Sequence, residues 1–223
     1  MWNWVIFGRR LPRSRGFGSI AWSPNLTCVR LGHKLYRTMI IYTKTRDKED
    51  LKGILALQKA NLKKNLSEQE IESDGFVTVD HTWETLEKLT SIEPHSIARD
   101  DKEIVGYVLA MTKKSRHDIP IIIPMFAEFD KIVYEGKFVS EYDYMVVGQA
   151  CVHKNYRGKG IIENCFRIYK DTFANRYDFS ITEIAKTNLR SINAHKKVGF
   201  KEIHSYKDPN QNEWIIVIWD WKN

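Results

Sequence analysis

The sequence predicts an α/β fold, because short apolar runs typical of strands alternate with apolar stripes at helical spacing. The most informative stretch, residues 144–173, begins as a buried strand, passes through a basic turn rich in glycine and ends as a helix. A second observation is a hairpin, in which strands at 96–99 and 104–111 flank the tight turn 100–102. With 223 residues, 43% of them hydrophobic, the chain suits one domain with a sizeable core.

Residues 1–38 differ from the rest of the chain in charge. They hold seven of the 35 cations and none of the 28 anions, so residues 39–223 carry 28 charges of each sign. The net charge of +7 therefore gives no indication that the domain binds nucleic acid. We expect residues 1–38 to be a basic, poorly ordered extension that either resembles an organellar transit peptide or lies upstream of a functional chain starting at Met39.

Hydropathy and cysteine usage exclude several other classes of protein. No apolar run approaches the ~20 residues of a membrane span, so we expect no membrane partner. Cys28, Cys151 and Cys165 have neither the spacing of a metal site nor an even count. We therefore expect no metal, no disulfide framework and a reducing, cytoplasmic location, with Cys151 and Cys165 in the core.

The first half of the chain, before the hairpin, reads as one strand and a series of helices. The expected elements are a strand at 40–43, a helix capped by Asp47 whose apolar stripe reaches Leu66, a short helix or turn at 67–74 ended by Gly75, and a helix from Asp80 or Thr82 that closes before Pro94.

The second half contains an insertion and then a regular series of elements. Two prolines make residues 117–124 a poor central strand, and the sequence predicts a helix at 125–134 with Phe126, Phe129, Ile132 and Val133 facing inward. The elements expected after residue 144 are the strand, turn and helix described above, a strand at 178–185, a helix at 188–198 ended by Gly199, and strands at 201–206 and 213–221.

The basic turn Arg157-Gly158-Lys159-Gly160 lies between a strand and a helix. Glycine lets a backbone approach a ligand closely, and a helix N-terminus favours anions, so the simplest ligand is a phosphate or pyrophosphate. The alternative is a turn that only joins the two elements. The spacing matches neither a P-loop nor a dinucleotide fingerprint.

Two titratable residues follow in the next strand and helix. Asn188, Ser191 and His195 share one face of their helix. Glu183 alternates onto a mostly apolar strand face, where desolvation raises the pKa of a carboxyl group and suits it to act as a base. The alternatives are a surface glutamate and a structural histidine.

Two motifs together resemble a known family. Residues 157–162 are similar to the Gln/Arg-x-x-Gly-x-Gly/Ala pyrophosphate loop, and residues 188–200 to the later Asn…Tyr…Gly-Phe motif, of the GNAT superfamily of acyl-CoA-dependent N-acetyltransferases. The resemblance covers about residues 40–221. It implies a single domain with a mixed, mostly antiparallel twisted sheet flanked by helices.

The resemblance also implies a role for each matching residue. The backbone of Ala150, Cys151 and Val152 would pair with pantetheine amides, and Asn188 would contact the cofactor arm. The pyrophosphate would be bound by the backbone N–H groups of Arg157, Gly158, Lys159, Gly160, Ile161 and Ile162. Glu183 would be the general base, and His195 would be the acid that protonates the leaving thiolate. Two positions depart from the motifs. Ile162 replaces a small residue, and its side chain must turn away from the phosphates; His195 replaces a tyrosine.

We therefore expect an acetyl-CoA-dependent N-acetyltransferase in which a small-molecule or peptide amine attacks the thioester directly. The alternatives to Glu183 as base are Asp143, Glu141 and a water held by Gln149. One rival hypothesis is a non-catalytic acyl-CoA-binding module, and another is nucleic-acid binding through the arginine-rich extension. The tryptophans near the C-terminus indicate either core packing or a homodimer contact.

Overall fold

Strands and helices alternate along the part of the chain that the structure describes. The structure, a computed structural model, describes residues 26–31 and 34–222, with side chains from Met39 onward. The strands are β1 (Leu26–Leu31), β2 (Lys34–Lys44), β3 (Ser96–Asp100), β4 (Glu103–Thr112), β5 (Val133–Tyr134), β6 (Lys137–Phe138), β7 (Tyr144–Val152), β8 (Phe179–Ala185), β9 (Lys201–Lys207) and β10 (Glu213–Asp220). The helices are α1 (Lys48–Asn61), α2 (Glu68–Asp74), α3 (Trp83–Ile92), α4 (Ile123–Phe129), α5 (Ile161–Phe173) and α6 (Leu189–Val198).

Eight of these strands form one sheet in the order β1-β2-β3-β4-β7-β8-β10-β9. Every neighbouring pair in the sheet is antiparallel except β7 and β8, which are parallel. Helices α1 and α3 pack on one face, and α5 and α6 pack on the other. The prediction of a mixed, mostly antiparallel sheet flanked by helices is confirmed. Among the residues that are described, none of the helices combines the length and the apolar character needed to cross a bilayer.

Local sequence signals set three of the helix ends as predicted. Asp47 caps α1, since its carboxylate accepts from the N–H groups of Glu49 and Asp50. Ser67 begins α2 with a reciprocal capping box, and α6 ends at Gly199, whose φ of 118° lies in the left-handed region.

The sheet separates two apolar cores. The first core lies under α1 and α3, and the second core lies under α5. The second core is rich in aromatic side chains, and Trp219 and Trp221 pack against it. Cys165 lies in this core and Cys151 in the first core, under α1 and α3; both are free thiols, as predicted. Burial raises the pKa of the Cys151 thiol to about 12, so it is not a thiolate nucleophile near neutral pH.

The first strands extend further than the sequence predicts. Strand β2 begins at Lys34, where we expected a strand at 40–43, and it pairs with β1 from Leu26 opposite Met39 to Leu31 opposite Lys34. Backbone pairing in a hairpin does not require apolar alternation, which explains why the pattern missed it. We expected poor order for residues 1–38, of which residues 1–25, 32 and 33 lie outside the described residues, and the boundary at residue 38 stays a prediction.

Helix α1 ends earlier than its apolar stripe suggests. It stops at Asn61, whose side-chain amide donates to the Leu57 carbonyl at 2.8 Å, and a short 3-10 turn follows. Leu62 then forms a parallel bridge with Val77. This bridge lays the segment after α2 beside the C-terminus of α1, which positions one wall of the site described below.

The insertion between β4 and β7 is also organised differently from the prediction. Helix α4 ends at Phe129, and Val133, which we expected to face inward, is 59% exposed. Val133 instead pairs with Phe138 in the β5–β6 hairpin. Phe126, Phe129 and Ile132 are buried, as predicted.

Candidate active site

Strands β7 and β8 lie side by side only briefly and then separate. Thr182 fills the first unpaired position of β8, where its hydroxyl donates to the Val147 carbonyl at 2.8 Å. The ladder has only three pairs, namely Tyr144 with Phe179, Met145 with Ser180, and Val146 with Ile181. The C-terminal halves of the two strands therefore form the sides of a wedge.

A bulge shapes the β7 side of this wedge. The register with β4 shifts between Leu109 opposite Gln149 and Ala110 opposite Val147, which leaves Gly148 as the extra residue. A Cβ atom at Gly148 would lie 2.2 Å from the Met111 sulfur, so a larger residue here would require the Met111 side chain to move. The bulge increases the local twist and turns the end of β7 away from β8.

A cavity of about 370 Å³ extends from the wedge towards the start of α5. Its walls are the end of β7, the turn before α5, the first part of α6, and a segment formed by Asp74, Gly75, Phe76 and Val77. Lys159 is not in a wall, and its ammonium group donates to the Asn155 carbonyl at 2.8 Å. The other residues that we expected to bind a cofactor line this cavity, namely Ala150, Cys151, Val152, Arg157, Gly158, Gly160, Ile161, Ile162 and Asn188.

The turn before α5 exposes backbone donors to the cavity. Gly158 and Gly160 have φ values of 73° and 74°, in the left-handed region that glycine adopts freely. No side chain caps α5 at Gly160, so the N–H groups of its first turn have no side-chain acceptor at the cap. Ile162 lines the cavity and also packs partly against the second core, and the expectation that its side chain turns away from the phosphates stays a prediction. The arrangement suits an anion.

The guanidinium group of Arg157 is held by the protein itself. Its Nη2 donates to Asn61 Oδ1 at 2.6 Å, its Nε donates to the Val152 carbonyl at 3.2 Å, and its Nη1 lies 2.7 Å from Asp74 Oδ2. The side chain therefore ties the turn to α1 and α2, and the backbone of the turn is what faces the cavity.

Asn188 likewise connects two walls of the cavity. Its side-chain oxygen accepts from the Ser191 N–H at 3.2 Å, and its amide nitrogen donates to the Phe76 carbonyl at 3.0 Å. Asn188 is buried, as expected of a residue with both amide ends in use. It lines the cavity, but the structure assigns its polar atoms to the protein.

A second, smaller cavity of about 80 Å³ lies at the other end of the wedge. Glu183, Gln149, Thr182 and Trp214 are among the residues that line this cavity and not the larger one. Six residues line both cavities, namely Phe76, Val77, Ala150, Asn188, Ser191 and His195. The two cavities are therefore neighbouring parts of one cleft, and Glu183 lies at the end opposite the turn.

Glu183 is a mostly buried carboxyl group with one strong partner. The Tyr206 hydroxyl donates to its Oε2 at 2.5 Å. Burial raises the pKa of Glu183 to about 7, against the effect of the Tyr206 hydrogen bond, and the nearby Asp208 and Glu128 carboxylates raise it further. Near neutral pH the side chain is therefore present in both protonation states, as a general base requires.

The structure separates the three alternative bases, since Gln149 lines the cleft and the two carboxylates do not. Asp143 and Glu141 are exposed and line neither cavity. Gln149 lines the smaller cavity, but its amide oxygen accepts from the Tyr107 hydroxyl at 2.5 Å and its nitrogen donates to the Val79 carbonyl at 2.8 Å.

His195 lies at the junction of the two cavities and is 5% exposed. Its Nδ1 is 2.8 Å from the Ser191 carbonyl oxygen, which only accepts, so Nδ1 carries the proton of the neutral ring. Burial lowers the pKa of His195 to about 4. The ring also packs edge-on against Phe166 and Phe200. A neutral ring with its proton on Nδ1 has none on Nε2 to donate, so the geometry favours packing over the expected acid role.

Three residues of the site were not singled out from the sequence. Asn61 and Asp74 hold Arg157, and Tyr206 holds Glu183. All of these contacts join residues far apart in the chain, so no local pattern marks them. The sequence feature that could have located this wall of the cavity is Gly75, which ends α2 with a φ of 71° and lines the cavity.

The sequence also matches a protein-family model. The model of the acetyltransferase (GNAT) family matches residues 61–200, which include the turn, Glu183 and helix α6. The chain belongs to the acetyltransferase (GNAT) family. A search of curated proteins finds no match to the chain.

Solved structures share the fold of this GNAT chain. A chain of the NatC complex bound to Gag peptide and CoA is 14% identical, with a TM-score of 0.55 over 81% of this chain and 98% of that chain. A ribosomal-protein-alanine N-acetyltransferase from Brucella melitensis is 16% identical, with a TM-score of 0.53 over 81% and 99%. The Salmonella typhimurium protein yncA, solved with acetyl-CoA, is 14% identical, with a TM-score of 0.52 over 82% and 95%. At these identities the likeness shows the fold.

We expect Asp74→Asn to bind CoA about two- to fivefold more tightly than the wild-type protein. The substitution removes a carboxylate from the cavity wall and releases Arg157 Nη1, and a partly exposed ion pair is worth about 1 kcal/mol or less. Calorimetric titration with CoA measures the change. The control is Glu72→Gln, which removes an exposed charge from the same helix. Weaker binding by Asp74→Asn alone would show that the ion pair is needed to hold the wall in place.

We expect His195→Phe to keep the rate of acetyl transfer within about threefold, because phenylalanine preserves the packing against Phe166 and Phe200. A lost general acid would instead lower the rate by about 100-fold or more. Steady-state kinetics separate the two results, provided that the thermal midpoint confirms folding. A loss of the larger size would restore the acid role for His195.

Proposed function

We propose that this chain transfers the acetyl group of acetyl-CoA to an amine, which attacks the thioester directly. The observation that carries the proposal is the form of the cleft. One end presents the uncapped N-terminus of α5, and the other end presents Glu183. Because six residues line both parts, one ligand reaching from the turn to the junction would place its reactive end beside the carboxylate.

The larger cavity fits the cofactor in chemistry. Backbone N–H groups between Gly158 and Ile162 would hold the pyrophosphate, since the turn and the helix N-terminus both favour anions. The end of β7, unpaired on its β8 side, would offer backbone groups to the pantetheine amides along residues 150–152. Acetyl-CoA supplies an activated acetyl group as its thioester.

The smaller cavity fits the acceptor end of the reaction. Glu183 would accept a proton from the ammonium form of the amine, which makes the nitrogen lone pair available for attack. As the C–N bond forms, the C–S bond of the thioester would break, and the leaving thiolate of CoA would take up the second proton that the nitrogen loses. The pKa of about 7 means that this carboxylate gains its basic form as the pH rises through neutrality. Backbone N–H groups near Val152 would polarise the thioester carbonyl.

We propose a small-molecule or peptide amine as the acceptor. Solved structures of the same fold include a NatC complex with a bound peptide and a ribosomal-protein-alanine N-acetyltransferase, which supports testing peptides that have a free N-terminus. The cytoplasmic location, the absence of a nucleic-acid partner for the domain and the homodimer stay predictions.

The first test measures binding and turnover on the full chain. Acetyl-CoA that binds the folded state raises the midpoint of thermal unfolding as its concentration rises. At 100 times its Kd it adds about 2.7 kcal/mol to the free energy of unfolding. A panel of small amines and free N-terminal peptides then reports released CoA. A midpoint shift with acetylation of any panel member supports the proposal. A shift without turnover favours the acyl-CoA-binding module, and no shift at millimolar ligand contradicts both.

We expect Glu183→Gln to lower kcat at pH 7 by about 100-fold or more, because the amide cannot accept the ammonium proton. The thermal shift with acetyl-CoA should stay unchanged. In the wild-type protein, kcat/KM should rise through about pH 7 as Glu183 loses its proton, and this acid limb should be absent from the variant. The control is Glu141→Gln, which removes an exposed carboxylate outside the cleft. A Glu183→Gln variant of wild-type activity would exclude Glu183 as the base.

A further inference from the structure

Tyr206 reaches Glu183 from a strand that is not its neighbour. Strand β10 lies between β8 and β9, and Glu183 is opposite Ile216, whereas Tyr206 is opposite Trp214. The tyrosine side chain therefore crosses β10 diagonally to bring its hydroxyl 2.5 Å from Glu183 Oε2.

The other groups that act on Glu183 all oppose its ionised form. Burial, Asp208 in the turn after β9, and Glu128 of α4 each raise its pKa. Asp208 is itself engaged by the Asn212 side chain and the Trp214 indole, and Glu128 pairs with Lys131 at 2.6 Å. Among the residues that the structure describes, Tyr206 is the contributor to the pKa of Glu183 that favours the carboxylate.

Tyr206 itself remains a hydrogen-bond donor. Burial, followed by the charge of Glu183, raises the pKa of its hydroxyl far above the ordinary value of 10.0. A tyrosine of this kind is not a base near neutral pH, so its contribution to the site comes from the proton that it donates.

We propose that Tyr206 is a positioning residue for Glu183, whose Oε2 it holds so that Oε1 is left to accept the proton of the acceptor amine. This inference rests on the proposed function, because it assigns Glu183 the role of base. It predicts that removing one hydroxyl group changes the pH range of the reaction more than its maximal rate.

The experiment compares the pH dependence of kcat/KM in the wild-type protein and in Tyr206→Phe. We expect the acid limb to move upward by about one to two pH units, the effect of losing one hydrogen bond to a charged group. At pH 7 the rate should fall about tenfold or more, and it should recover towards the wild-type value at higher pH. The KM for acetyl-CoA should not change.

Tyr134→Phe is the matched control. The Tyr134 hydroxyl also donates to a carboxylate, Asp220, at 2.9 Å, but Asp220 lines neither cavity, whereas Glu183 lines the smaller one. Removal of the Tyr134 hydroxyl should leave the acid limb in place. In the double variant Glu183→Gln with Tyr206→Phe, we expect no loss beyond that of Glu183→Gln, because the two side chains act as one unit.

A titration of the Glu183 carboxyl carbon by NMR, assigned with Glu183→Gln, tests the contact without turnover. An upward move of this titration in Tyr206→Phe, together with the moved acid limb, supports the proposal. An unchanged titration, or a rate lowered equally at every pH, overturns it. If the titration moves but the wild-type protein acetylates no amine, the proposed function fails and the positioning role fails with it.

Discussion

The short parallel contact between β7 and β8 is the constraint on which the rest of the site depends. A parallel pair that continued past Val146 would use the facing backbone groups of both strands in a ladder, and no cleft would exist. Thr182 ends the ladder by giving its hydroxyl to the Val147 carbonyl, and the bulge at Gly148 turns β7 away. The edge of β7 that follows is unpaired on its β8 side and lines the larger cavity.

Several polar side chains that were singled out from the sequence hold the walls of this cleft together. Arg157 joins the turn to α1 and α2, Asn188 joins α6 to the Phe76 carbonyl, and Gln149 joins β7 to the Val79 carbonyl. Each bond links two walls across the cleft. The consequence is a division of labour, in which side chains fix the walls and backbone N–H groups at the start of α5 remain free for an anion.

This division explains how much could be predicted from the sequence. The helix caps follow from capping residues, whereas the sheet class and the cavity-lining positions follow from the resemblance of two local motifs to the GNAT family. The tautomer of His195 and the partners of Arg157 depend on Ser191, Asn61 and Asp74, whose positions only the folded chain defines. The prediction that Val133 faces inward was wrong for a related reason, since Val133 lies in a hairpin where we expected the last turn of a helix.

Burial of Glu183 lowers the free energy of unfolding of the protein at neutral pH. Its pKa in the folded protein, about 7, lies above its ordinary value of 4.5, so ionisation favours the unfolded chain. The stability that the neutral carboxyl group provides is fully present below pH 4.5 and is lost as the pH rises through 7, the reverse of a salt-bridged carboxylate. Tyr206 offsets part of this loss, because its hydroxyl donates a hydrogen bond that stabilises the ionised carboxylate. A cation at the same position would stabilise the carboxylate further, but it would also depress the pKa and weaken the base. A neutral donor therefore reconciles burial of the carboxyl group with basicity near neutral pH.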